Sequence, residues 1–192
     1  MYISKLTRAL RHKFARSEDG SGSVEAVIMI PLMFMVIISS MTVLDLTRQH
    51  NLHSKAAFTI RDMVSRETLP IDPDYLAGAH ALLNTMTRTP QDSSIRLSVV
   101  RFDDGNNIMK LDWSHSSGGY TPLTNHQVRN WVDKLPHMVH NERMIIVETF
   151  ARYDPPFEVG LGTPEIDNFV FTRPRYAPQV LWQDAPDPEF SS

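Results

Sequence analysis

The sequence predicts an α+β protein in which one long N-terminal helix carries a small head with an antiparallel sheet and two helices. Three observations predict this class. A stretch of 19 residues without a charge, Ala26–Leu44, runs into a segment with helical spacing of its apolar residues. After Pro70, segments with strand-like alternation are separated by turn residues and by two helical patterns. With 192 residues, 42% of them hydrophobic, the chain suffices for this helix and one modest globular domain.

The uncharged stretch has the length of a membrane span. As a helix it extends about 28 Å, close to the roughly 30 Å thickness of the hydrocarbon layer of a bilayer. The first 20 residues carry five basic and two acidic side chains, a local charge of +3, which favours a cytoplasmic N-terminus. No small-residue cleavage site of the secretory kind follows, so we expect the span to stay in the protein. Pro31 is expected to bend this helix without ending it.

The helical pattern continues beyond the span as an amphipathic extension. Five apolar residues recur at steps of three and four and form one stripe, while the basic residues lie mostly elsewhere. The helix is therefore predicted to run from about Val24 to about Arg66, with a break at Pro70. The stripe consists of Leu52, Ala56, Ile60, Met63 and Val64.

The first half of the head is predicted as a helix followed by a β-hairpin. Asp72 is the expected N-cap and Pro73 the first helical residue, and Thr89-Pro90 closes this helix. A strand over 94–102, a turn at 103–107 and a return strand over 108–113 follow, and Ser114–Gly119 is predicted as a loop. The apolar residues expected to face the core are Tyr75, Ala79, Leu82, Leu83 and Met86 in the helix, Ile95, Leu97 and Val99 in the first strand, and Met109, Leu111 and Trp113 on one face of the second.

The second half of the head begins with a capping box. Thr124 and Gln127 have the required spacing, and a longer amphipathic helix is expected after them. Residues 143–153 and 166–182 supply two or three further strands, separated by a loop over 154–164 that is rich in proline and glycine. The apolar positions expected on the helix are Val128, Trp131, Val132 and Leu135.

The sequence offers no constellation that favours catalysis. Asp112, Ser114 and Ser116 fit the first element of a metal-ion-dependent adhesion site, but the glycines that follow and the short remaining chain do not fit the rest of such a domain. The eight histidines lack the spacing of a zinc site and are expected to be solvated. We therefore expect no enzyme, no cofactor, no metal and no small-molecule substrate. The absence of cysteine excludes thiolate chemistry, and a net charge of −3 disfavours nucleic acid.

A glycine and a glutamate stand just before the span. Cleavage after Gly20 would make Ser21 the first residue and Glu25 the fifth. The new ammonium group would lie near the edge of the bilayer, where the carboxylate of the same or a neighbouring subunit could neutralise it. A lone charge at the centre of a membrane helix costs roughly 2.5–3.5 kcal/mol, and less near its edge, so a partner is expected. Two alternatives remain: Glu25 simply reaches the lipid headgroups, or cleavage follows Gly22.

The basic leader, the segment Gly20–Glu25 and the run "MIPLMFMV" together resemble the TadE-like pseudopilins of the tight-adherence (Flp) type IV pilus system. The resemblance covers residues 1–46, and Ala26 departs from it, because the family often has an aromatic residue after the glutamate. It implies cleavage by a prepilin peptidase and a single-pass protein of the bacterial inner membrane with a periplasmic head. Its partners would be other pilins or pseudopilins, the pilus assembly platform and membrane lipid, in a system for adhesion and biofilm formation.

The predicted domain boundaries follow from these segments. A cytoplasmic leader over 1–20, the span over 21–46 and the amphipathic extension over 47–69 precede the head over 70–183 and a loose tail over 184–192. A different class of function stays open beside the pilus assignment. In it, the protein is an unprocessed single-pass membrane protein whose periplasmic head binds a ligand or another protein.

Overall fold

A computed structural model describes residues 21–88, 93–155, 157 and 162–183. The fold is α+β, with one long N-terminal helix and a small head that contains a four-stranded antiparallel sheet. The predicted leader over 1–20, the tail over 184–192 and Thr89-Pro90 lie outside the described residues. The elements are α1 (Ser21–Ser65), α2 (Pro73–Thr87), β1 (Ser93–Asp103), β2 (Ile108–Ser117), α3 (Asn125–Val128), a 3-10 helix (Trp131–Asp133), β3 (Arg143–Arg152) and β4 (Glu165–Thr172).

Helix α1 continues without interruption through Pro31 for 45 residues. The bend expected at this proline stays a prediction. The chain divides into two compact units between Leu44 and Asp45. In the first unit, the described residues are the N-terminal part of α1. The second unit contains the rest of α1 together with the head.

Helix α2 begins and ends as its local sequence dictates. Asp72 is the N-cap, and its carboxylate accepts a hydrogen bond of 2.7 Å from the backbone N–H of Tyr75. Pro73 follows in the first turn, where its missing N–H is not needed. Arg88 adopts a left-handed conformation after the last turn and ends the helix. The predicted N-terminus of α2 is confirmed.

The four strands lie in the order β2-β1-β3-β4, and each pairs antiparallel with its neighbours. The hairpin predicted at residues 103–107 is confirmed, since β1 ends at Asp103 and β2 begins at Ile108. Strands β2 and β4 are the two edges of the sheet. Beyond β4 the chain forms an isolated parallel bridge from Trp182 to Ile71.

Both faces of the sheet are covered over part of their area. On the first face, α2 and the apolar stripe of α1 pack against the sheet, and Ala56, Ile60 and Val64 are fully buried. On the second face, the segment that contains α3 and the 3-10 helix packs over β1, β2 and β3 through Val128, Leu135 and neighbouring residues. The sheet is therefore the middle layer of the second unit.

The prediction that Met109, Leu111 and Trp113 share one face of β2 was wrong. Met109 and Leu111 pack under α3, whereas Trp113 belongs to the cluster under α1 and α2. A β-bulge is the reason. Trp113 is opposite Val99 and Leu111 is opposite Val100, so Asp112 is an extra residue and the side-chain alternation changes phase after it.

Two further expectations need correction. Ser114–Gly119 is not a loop, because β2 continues to Ser117. The helix after Thr124 has a single turn, and a 3-10 turn replaces its remainder. Strand β1 is buried on both faces, since the segment around α3 covers its second face.

Candidate functional site

The N-terminal part of α1 presents an uncovered apolar surface. Every described side chain over 22–37 is exposed, and Val27 and Met33 retain 70% and 66% of their accessible surface. An apolar helix surface of this extent is unfavourable in water, where burying it would be strongly stabilising. By length and composition, α1 is the one described helix that could cross a membrane.

The hydroxyl groups of the uncharged run over 26–44 are hydrogen-bonded within the helix itself. Ser39 and Ser40 donate to the carbonyl oxygens of Met35 and Val36, each over 2.8 Å, and Thr42 donates to the carbonyl of Ile38 over 3.0 Å. Hydroxyls bonded in this way leave no unpaired donor for a hydrocarbon environment. This part of α1 is therefore compatible with lipid throughout the uncharged run.

The predicted processing residues lie at the N-terminal end of α1. Gly20 is outside the described residues, and Ser21 is the first described residue of the helix. Glu25 follows four residues later, with an exposed side chain, so the helix places both positions on one face. Pro31 lies within the apolar part, away from this face by helical periodicity. Ser21 and Glu25 are thus brought together, and Pro31 is not part of their cluster.

The segment that resembles a metal-binding motif is part of the sheet. The carboxylate of Asp112 accepts a hydrogen bond of 2.9 Å from Arg143 and forms an ion pair with Arg101 at 3.4 Å. The hydroxyl of Ser114 bonds to that of Ser98 at 2.8 Å and accepts from the backbone N–H of Leu123. These oxygens hold β2 to its neighbours. Among the described residues, no group of three or more His, Asp or Glu side chains could hold a metal ion.

Two histidines differ from the expectation that the histidines are solvated. His53 is buried in the second unit, and its Nδ1 has no hydrogen-bond partner among the described residues. Burial, and then the nearby charge of His50, lower the pKa of His53. His80 on α2 bonds through Nδ1 to the Ser117 hydroxyl and through Nε2 to the Ser93 carbonyl, both at 2.9 Å. His53 is thus a buried packing residue of α1, and His80 joins α2 to the sheet.

Sequence reasoning missed a buried ion pair on the second face of the sheet. Arg96 on β1 bonds to Glu148 on β3 over 2.7 Å, with 12% and 7% of the two side chains exposed. The Arg96 guanidinium also lies over the Phe150 ring, which stacks on Tyr120 at 3.8 Å. The charged residues within the two strands were the only available signal, and nothing in the sequence joins two residues that are 52 positions apart.

A cavity of about 220 Å³ opens beside this ion pair, at the end of the sheet where β4 begins. Its lining combines small residues, aromatic rings and two charged side chains. The hydroxyl of Tyr120 donates to Glu165, and this bond raises the pKa of Tyr120 to about 12. The lining includes Ser94, Gly118, Tyr120, Phe150, Arg152 and Glu165.

Comparisons with known proteins identify no relative of this chain. No family model matches the chain, and neither a curated protein nor a solved structure matches it.

Proposed function

We propose that the protein is a minor pseudopilin that acts in the assembly of a tight-adherence type IV pilus, after cleavage by a prepilin peptidase following Gly20. The observation that carries the proposal is the position of Glu25. It lies four residues after Ser21 on one face of α1, at the start of an uncovered helix that has no other charge before Asp45. The resemblance of residues 1–46 to TadE-like pseudopilins supports the same function.

In the proposed mechanism, cleavage creates an ammonium group on Ser21 near the edge of the inner membrane. The Glu25 carboxylate neutralises it, within the same subunit or across to a neighbouring one, because an unpaired charge is costly in a low-dielectric setting. The apolar surface of α1 then packs against lipid or against the helices of other pilins and pseudopilins. The head lies in the periplasm, where it contacts other subunits and the assembly platform. No small-molecule substrate, nucleic acid or cofactor takes part, and the protein is not an enzyme.

Processing is tested by the mass of the mature protein. The full-length protein with a C-terminal tag is produced with and without a prepilin peptidase of a tight-adherence system. We expect the peptidase to remove residues 1–20 and leave Ser21 as the N-terminus. Gly20→Leu should block this cleavage. The matched control is Gly22→Ala, which should be processed normally, since a Cβ at Gly22 meets no atom within 4 Å. An intact Met1, or a new N-terminus at Ser23, would refute the proposed site.

The role of Glu25 is tested by neutralising it. Glu25→Gln should reduce incorporation into the pilus machinery, measured by crosslinking and by electron microscopy of pili in cells that lack the native gene. Asp74→Asn is the matched control, because Asp74 is an exposed acid in the first turn of α2. Equal pilus assembly with both variants would reduce the role of α1 to that of a generic anchor.

The cavity at the end of the sheet favours a second candidate function. Its volume of about 220 Å³ is below the range of about 300–1,000 Å³ typical of drug-sized ligands, so it would suit a small polar molecule. In that case the protein is an unprocessed single-pass membrane protein with a ligand-binding head. Retention of Met1 together with normal function of Glu25→Gln would support this candidate over the pseudopilin.

A further inference from the structure

The two edge strands of the sheet, β2 and β4, differ in whether other segments cover their outer backbone groups. On β2, the backbone N–H of Met109 donates to the Arg129 carbonyl at 3.3 Å, and that of Leu111 donates to Asn125 Oδ1 at 2.9 Å. The bulge at Asp112 interrupts the same strand. Bulges and covering segments are two of the devices by which proteins prevent another strand from pairing with an edge. Strand β2 is therefore closed to such pairing over its first half.

Among the described residues, strand β4 has neither of these two devices. It pairs with β3 residue for residue from Glu165 opposite Arg152 to Thr172 opposite Ile145, without a bulge. Its eight residues include no proline. Within the part of the chain that the structure describes, no strand pairs with its outer side. An edge of this kind presents a row of backbone donors and acceptors to an incoming strand.

Two exposed aromatic side chains, one on β4 and one on α1, indicate apolar surface near this edge. Phe171 of β4 lies on the second face and is 37% exposed. On the first face, the Ser54 hydroxyl of α1 donates to Asn168 Oδ1 over 2.7 Å and places this side of the helix over β4. Phe58 follows Ser54 by one helical turn and is 49% exposed. A segment laid along β4 would thus meet apolar surface on both sides.

The charge of the edge indicates which segment fits. Asp167 on β4 is exposed and makes no hydrogen bond or ion pair with any residue that the structure describes. Partial burial and the neighbouring carboxylates of Glu165 and Glu148 raise the pKa of Asp167. Glu148 already has Arg96 as its partner, and Glu165 accepts from Tyr120. A cation beside Asp167 would relieve this repulsion.

We propose that the outer edge of β4 is a docking site for an extended segment of a partner protein, which pairs with β4 through its backbone and places a basic side chain beside Asp167. A second copy of this chain fits less well. The basic residues that follow β4 are engaged within their own chain, since Arg173 pairs with Glu142 and Arg175 pairs with Asp62 at 3.0 Å. Neither of these two arginines of a second copy is therefore free to pair with Asp167.

Amide hydrogen exchange on the full-length protein in detergent micelles tests the site. Two synthetic eight-residue peptides with blocked ends serve as probes, one alternating valine with arginine and the other valine with glutamate. We expect the arginine peptide to slow exchange over 165–172 and leave 108–117 unchanged. It should bind about two- to fivefold more tightly than the glutamate peptide for each ion pair that forms at the exposed edge. Protection confined to β2, no protection, or equal binding of both peptides would overturn the proposal.

Charge variants separate the role of Asp167 from general electrostatics. Asp167→Lys should weaken binding of the arginine peptide and strengthen that of the glutamate peptide, whereas Asp104→Lys in the exposed hairpin turn should change neither. Asp167→Asn provides a milder test should the lysine variant unfold. Protection of 165–172 that grows with protein concentration, without peptide, would show pairing between copies and contradict the proposed partner. None of these outcomes depends on cleavage after Gly20, so failure here is distinguishable from failure of the pseudopilin proposal.

Discussion

The hydroxyl of Tyr153 donates a hydrogen bond of 2.8 Å to the carboxylate of Asp45. Asp45 is the first charged residue after the uncharged run, and Tyr153 directly follows β3. The bond therefore fastens the end of the sheet to α1 at the residue where the apolar sequence stops. Burial, and then the bond to Asp45, raise the pKa of Tyr153 to about 12.

Removal of this hydroxyl should loosen α1 from the head. We expect Tyr153→Phe to lower the free energy of unfolding by about 1.5–3 kcal/mol, the usual loss for a hydrogen bond to a charged group. The measurement is urea unfolding of the full-length protein in detergent micelles. Tyr176→Phe is the control. This side chain is 68% exposed, so the loss of its hydroxyl should have no effect on the free energy of unfolding. Because the folded pKa is raised, the parent should also lose stability as the pH rises from 10 to 12, and the variant should lack this component.

The Arg96–Glu148 pair makes a prediction about buried charge. Arg96→Met leaves the Glu148 carboxylate buried without a partner and should cost about 3–5 kcal/mol in unfolding free energy. The double variant R96M/E148L removes both charges and should recover a large part of that loss. Arg66→Met serves as a surface control, because its pair with Asp62 is more than one-third exposed on both sides and contributes only about 0.5 kcal/mol. A double variant no more stable than R96M would contradict the argument.

Burial of His53 predicts a specific sensitivity to acid. The folded pKa lies below the ordinary value of 6.5, so the unfolded chain takes up a proton first as the pH falls. The contribution of neutral His53 to stability should be fully present above pH 6.5, and it should be lost as the pH falls through the folded pKa. Replacement of the imidazole in His53→Leu should flatten the pH dependence of the melting temperature in this window. His126→Gln, at an exposed position, should keep the slope of the parent.

Alanine substitutions at two adjacent glycines should distinguish the cost of backbone strain from the cost of steric crowding. Gly118 and Gly119 both have positive φ angles, 95° and 103°. A Cβ on Gly118 would lie 2.5 Å from the Ser93 carbonyl oxygen, whereas one on Gly119 meets no atom within 4 Å. Gly119→Ala should therefore cost about 1–2 kcal/mol from the left-handed backbone alone, and Gly118→Ala should cost clearly more. Equal melting temperatures for the two variants would contradict the close approach of Gly118 to β1.

Local sequence was sufficient for much of the fold. The N-cap of α2 needs only Asp72, Pro73 and the next turn, and the hairpin needs only the turn residues at 103–107. The apolar stripe of α1 was likewise visible from its spacing, and Ala56, Ile60 and Val64 are buried as expected. The candidate processing site rests on the sequence as well, with Ser21 and Glu25 on one helical face and Gly20 outside the described residues. The N-cap, the hairpin and the stripe were predictable because neighbouring residues specify them, whereas the processing site stays a prediction.

Contacts between distant segments decided the rest. At the bulge, arginines on β1 and β3 pair with the Asp112 carboxylate, and the extra residue places Trp113 on the opposite face from the one its spacing predicts. The burial of His53, the Arg96–Glu148 pair and the open edge of β4 depend in the same way on which strands become neighbours. The periodicity of a sequence indicates which side of a strand is apolar, but it does not indicate which strand lies beside it. Local sequence thus specifies the helices and strands. Only their packing determines which charged side chains are left without an ion-pair partner and which strand edge is left unpaired.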